Sequence, residues 1–170
     1  MARLVGVFIG IVVSSIGFVL HVVGLATPKW TVDHAKDHHS GLWERCSPKL
    51  CEHFALSQTE AWLHVSKAFA LLGVAAGLMT IVSSISHGIY LTSKMCMDIR
   101  KVPAVLGVIT FACVITCVCV FGIHMKSPVG FSLIIDFIGG FLMFVGACIV
   151  TVLGKPKSDN DDVTLVTHMY

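Results

Sequence analysis

Four long apolar runs, separated by polar intervals of very unequal length, dominate this chain. The first, about Leu4 to Leu25, carries no Asp, Glu, Lys or Arg and is entered from Arg3. The second covers about Leu63 to His87, with Lys67 near its start; the third runs from about Val102 to Ile123 and the fourth from about Val129 to Leu153. A hydrocarbon core of about 30 Å needs about 20 residues at about 1.5 Å each, and every run is that long. The pattern predicts transmembrane helices over residues 4-25, 63-87, 102-123 and 129-153. A cleaved leader is the rival reading of the first run. Its apolar part is longer than a signal core, and Ala26-Thr27-Pro28 is a poor cleavage site, so it is expected to stay as a helix.

The longest polar interval, residues 26-62, has a different period. Trp30-Thr31-Val32 and Leu42-Trp43 read as strand-like, Asp33 to Ser40 as polar and turn-rich, and Ser47-Pro48-Lys49 as a tight turn. Cys46 and Cys51 flank that turn and could staple a short hairpin, worth about 2 kcal/mol in the chain-entropy picture. Gly41 suits a bend or a close backbone approach. Trp30 and Trp62 fall near helix ends, where indole rings favour the headgroup zone.

Composition strengthens the membrane reading. At 170 residues the chain holds one compact unit; 55% of it is hydrophobic, only 13% is charged, and the mean hydropathy is +0.85. A soluble fold could not hide that much apolar surface. A formal charge of +2 and the lack of a basic run argue against nucleic acid. No nucleophile stands with a base and an orienter, and there is no phosphate-cradling glycine loop. The chain is expected to be non-enzymatic and to need no cofactor.

Sidedness does not follow from Lys and Arg. Arg3, Lys94, Arg100, Lys101, Lys155 and Lys157 fall on the terminal side, and Lys29, Lys36, Arg45, Lys49, Lys67 and Lys126 on the other. A structural disulfide in the long loop requires an oxidising compartment, which puts the loop outside and both termini in the cytosol. The loop and its flanks are near neutral, with Asp33, Asp37, Glu44, Glu52 and Glu60 against Lys29, Lys36, Arg45, Lys49 and Lys67. No one-signed patch marks an ion-selective pore.

Within the spans, small residues suggest close packing: Gly6, Gly10 and Ser14; Gly73 and Gly77; Gly139, Gly140, Gly146 and Ala147. Intramolecular packing is the favoured use. Asp136 is the one acidic residue inside a span; it either pairs with Lys67 or is solvated at the headgroups. Cys113, Cys117, Cys119 and Cys148 read as small packing residues rather than as a soft-metal site. Cys96, between Met95 and Met97 in the short inner loop, is a candidate for palmitoylation, with a plain thiol as the alternative. His34, His38 and His39 are weak metal candidates, and solvated loop histidines are the default. Residues 154-170 read as a disordered cytosolic tail.

Trp30, Gly41-Leu42-Trp43, Cys46 and Cys51, set on four spans, resemble the signature of the claudin superfamily. That group includes the claudins, peripheral myelin protein, the epithelial membrane proteins and the lens fibre membrane protein. Ala61 to Phe69 is similar to the family's entry into the second helix, and Phe131-Ser132-Leu133-Ile134 to its entry into the fourth. The resemblance covers residues 1-153. It implies an all-α, left-handed four-helix transmembrane bundle with a small extracellular antiparallel β-sheet and a Cys46–Cys51 disulfide. The four residues between the cysteines place the chain closer to the epithelial membrane and lens fibre branch than to typical claudins. Lys67 stands where the family usually carries Arg, keeping charge without the bidentate fork. The Thr167-His168-Met169-Tyr170 ending lacks the Tyr-Val terminus of many claudins.

What these readings imply together is a plasma-membrane protein acting in cell–cell contact or junction organisation by lateral self-association in cis. Membrane lipids and other tetraspan, channel or junction proteins are the expected partners. Leu42, Trp43 and Phe54 would form the contacting surface, although Leu42 and Trp43 also suit a purely anchoring role, which is the favoured one for Trp43. The alternatives are an auxiliary subunit of a channel or receptor, and a paracellular barrier or pore former.

Overall fold

The computed structural model describes residues 2–33, 38–54, 60–93, 101–125 and 128–154. Four helices form: α1 (Ala2–Ala26), α2 (Ala61–Ser93), α3 (Val102–His124) and α4 (Phe131–Leu153). Each is long and apolar enough to cross a membrane. The expected helix bounds hold to within about two residues except for α2, which continues past His87 to Ser93. Polar His87 looked like a helix end. It is a buried residue, and Ile89, Tyr90 and Leu91 carry the helix onward.

Between α1 and α2 lie four short strands: β1 (Thr31–Asp33), β2 (His38–Ser40), β3 (Glu44–Cys46) and β4 (Cys51–His53). They make one antiparallel sheet in the order β1-β2-β3-β4. Two sequence expectations change. Residues 38–40, expected as turn, are a strand pairing with β1, while Leu42 and Trp43 form the bend between β2 and β3 rather than a strand. Ser47 and Leu50 exchange both backbone hydrogen bonds across Pro48-Lys49. The next pair outward, Cys46 and Cys51, is therefore a non-hydrogen-bonded pair, where side chains approach most closely. There the expected disulfide forms, with the two Cα atoms 4.0 Å apart.

The helices pack in a ring, α1 on α2, α2 on α3, α3 on α4 and α4 back on α1, so α2 and α4 are diagonal. The buried positions of α2 include Ala70, Gly73, Gly77, Thr80, Ser84 and His87; those of α3 are Pro103, Gly107, Thr110, Val114, Cys117 and Phe121. Steps of three and four alternate, a 3.5-residue repeat that corresponds to left-handed supercoiling. The seam is built mostly of small and polar residues, with Val114 and Phe121 the larger exceptions. Many large apolar side chains point outward instead, among them Phe8, Leu71, Met79, Ile89, Val105 and Phe141.

Glycines set the closest interface, α1 against α4. A Cβ added to Gly10 would lie 2.8 Å from the Gly146 carbonyl, one on Gly17 2.7 Å from the Gly139 carbonyl, and one on Gly24 2.7 Å from the Asp136 Cα. Backbones approach this closely only where side chains are absent. The small residues of the sequence pattern thus serve intramolecular packing, Gly73 against His21 and Gly77 against Met143 included.

Candidate functional site

The signature residues converge where the sheet sits on the helix ends. The last carbonyls of any helix lack intrahelical donors. In α1 they are met one by one. The Thr27 hydroxyl and N–H donate to Val23 O at 2.8 and 3.1 Å, the Trp30 indole N–H to Gly24 O at 2.8 Å, and the Trp43 indole N–H to Leu25 O at 2.9 Å. Two tryptophans thereby cap one helix from two different strand ends. Trp30 is fully buried, its ring meeting Phe121 edge-on with centroids 4.8 Å apart. Trp62 packs on the same Phe121 at 5.9 Å and stacks on His124 at 5.1 Å.

Gly41 lets the loop lie flat on the helix end. A Cβ there would fall 2.5 Å from the Pro28 Cα. Its N–H donates to Glu44 O at 2.9 Å, closing the bend that buries Leu42 and turns Trp43 back toward α1. Leu42 has no exposed surface, and Trp43 and Phe54 are only half-exposed. Of the expected contacting surface, Leu42 is wholly enclosed, and Trp43 and Phe54 pack partly buried against the same core, which for Leu42 and Trp43 is the anchoring role. What points away from the bundle is the β3–β4 hairpin, with Leu50 61% exposed and Cys51, Glu52 and His53 exposed.

A second strap, missed in the sequence, comes from the α3–α4 connection. Val129 bridges to Thr31, Val32 N–H donates to Pro128 O at 3.2 Å, and Gly130 N–H donates to Trp30 O at 2.7 Å. Gly130 has no room for a side chain against the Lys29 backbone. The sheet, itself the α1–α2 connection, is thus tied to the α3–α4 connection as well.

Lys67 and Asp136 do not pair. They belong to diagonal helices, and each has its own partner. The Lys67 ammonium, on a residue only 7% exposed, lies 5.6 Å from the Trp43 ring centroid and 5.4 Å from that of Phe54. Such cation–π contacts contribute about 0.5–2 kcal/mol. Asp136 is hydrogen-bonded to His21, its Oδ1 lying 2.6 Å from Nδ1, both side chains fully buried. The α1–α4 glycine seam brings the two together, since Gly24 faces Asp136 and Gly139 faces His21. His21 had a signal in the sequence: an imidazole in an otherwise apolar span is itself an ionisable group needing a partner. At the far end of the bundle His87 Nε2 lies 3.1 Å from Gly154 O, so a second buried imidazole caps α4.

Of the three weak metal candidates, His34 lies outside the described residues. His38 and His39, adjacent on β2, pair with different β1 residues, Asp33 and Val32. Among the described residues no group of three or more His, Cys, Asp or Glu could hold a metal ion. Cys117 is buried, Cys113 and Cys148 are half-buried, and Cys119 is exposed on the outside of α3. Cys96 and residues 155–170, on which the palmitoylation and tail readings fall, lie outside the described residues. No protein-family model matches the chain, and no curated protein matches it significantly.

Proposed function

We propose that this chain is a non-enzymatic, claudin-like four-span protein of the plasma membrane, with both termini cytosolic. It organises cell–cell contacts or junctions through lateral self-association. The observation that carries the reading is the division of labour in the sheet. Its inner elements are committed to the bundle by two indole caps and a backbone strap. Its β3–β4 hairpin projects with an exposed Leu50 and a disulfide that fixes its shape. A rigid platform of this kind, on helices whose large apolar residues face outward, suits presentation of a surface from a lipid bilayer. The partners are membrane lipids, other copies of the chain and other tetraspan or junction proteins.

Tagged full-length protein expressed in a non-junctional cell line tests the proposal. Enrichment where two expressing cells touch, without altered electrical resistance across the cell layer, is the expected result. Enrichment with raised or lowered resistance would assign a paracellular barrier or pore. A diffuse surface signal with a co-purifying channel or receptor would overturn contact organisation in favour of an auxiliary subunit.

A further inference from the structure

Strand register places three hydrogen-bond donors in a row across the sheet. Thr31 on β1 is directly opposite Ser40 on β2, and Ser40 is directly opposite Arg45 on β3. Opposed residues of antiparallel strands project from the same face, about 4.8 Å from strand to strand. All three line one cavity of about 320 Å³, together with His38, Asp33 and Met125. That volume is at the small end of sites for small molecules, about 300–1,000 Å³.

The donors in this row are uncommitted. Ser40 is 6% exposed, and its buried Oγ has no hydrogen-bond partner among the described residues. A buried hydroxyl left unmatched destabilises a fold, so folding alone gives no reason to keep it. The Arg45 guanidinium lies over the Phe54 ring at 5.6 Å, which orients it, yet among the described residues it makes no ion pair or hydrogen bond. Glu52, its neighbour on β4, does not come within ion-pair distance. Two hydroxyl residues and an arginine lining one cavity supply the donor set for an oxyanion.

We infer that the face of the sheet lined by Thr31, Ser40 and Arg45 binds a single carboxylate or sulfate group of an extracellular ligand. The Asp33 carboxylate lines the same cavity next to its strand partner His38. A cavity of about 320 Å³ takes a ligand about the size of an acidic monosaccharide.

The two sources of that chemistry separate in one titration. Full-length protein in discs of zwitterionic lipid is titrated with N-acetylneuraminic acid, with N-acetylglucosamine-6-sulfate and with neutral N-acetylglucosamine, binding being read by thermophoresis. The inference expects at least one acid to bind and the neutral sugar not to; which acid binds assigns carboxylate or sulfate. Arg45→Gln abolishes binding, and Arg45→Lys weakens it about tenfold because the fork is lost. Ser40→Ala weakens binding several-fold while leaving the unfolding temperature unchanged or raised, since it removes an unmatched hydroxyl. An intact disulfide confirms that each variant is folded. Absence of binding by both acids overturns the inference. Equal binding of the neutral sugar, undiminished binding by Arg45→Gln, or a destabilised Ser40→Ala would overturn it as well.

Discussion

A buried imidazole and a buried carboxylate are each costly in a low-dielectric interior, and His21 and Asp136 make each other tolerable. Their geometry gives an asymmetric expectation. His21→Leu leaves the Asp136 carboxyl without its partner and should cost about 1–3 kcal/mol. Asp136→Asn keeps an acceptor for the imidazole N–H and should cost less. Unfolding in detergent micelles measures both, and equal costs for the two variants would show that the pair is not what stabilises this level of the bundle. The same scale explains what the sequence hid. Asp136 announced itself by charge, but its natural partner in sequence was Lys67, because a lysine is read as charged and a histidine in an apolar run is not. Only the α1–α4 contact puts His21, rather than Lys67, beside it.

At the scale of elements, the bundle is held by absent side chains. Gly139 faces the backbone of α1 so closely that a methyl group would meet the Gly17 carbonyl at 2.7 Å, whereas Gly122 on α3 has nothing within 4 Å. Alanine should therefore act in opposite directions at the two sites. Gly139→Ala should destabilise by about 1–3 kcal/mol through overpacking. Gly122→Ala should be neutral or stabilise by up to about 1 kcal/mol through helix propensity alone. Comparison of the two midpoints in the same detergent checks this; similar effects at both would mean that the α1–α4 contact is looser than described. The four helices were legible because spans of ~20 apolar residues leave little choice. The 3.5-residue seam was less so, since it consists largely of Gly, Ser, Thr, His and Cys rather than an apolar stripe. The short strands were read only coarsely. His38-His39-Ser40 has no apolar alternation and becomes a strand through pairing with β1. Leu42-Trp43, apolar and strand-like, becomes a bend through Gly41 and the indole bond to Leu25.

The molecule as a whole is a bundle and a sheet joined by a helix end. Trp30, Gly41, Leu42 and Trp43 were visible as a signature, and each has a distinct structural role. The two indoles donate to α1 carbonyls, the glycine makes a bend that fits against Pro28, and the leucine is an apolar plug. The α3–α4 strap through Val129 and Gly130 carried no such mark, being a short stretch that acts through its backbone and is defined by its partners. Docked this way, the sheet has an inner side turned to the helices and an outer hairpin closed by Cys46–Cys51. The proposed contact role stands only if that hairpin faces the cell exterior in its oxidised form. Labelling intact expressing cells with a membrane-impermeant thiol reagent tests this most directly, using a variant in which Cys46 and Cys51 are the only cysteines kept. An oxidised hairpin on the cell exterior gives no labelling of untreated cells and strong labelling after brief reduction by an impermeant phosphine. Labelling before reduction, or only after the cells are permeabilised, would contradict it.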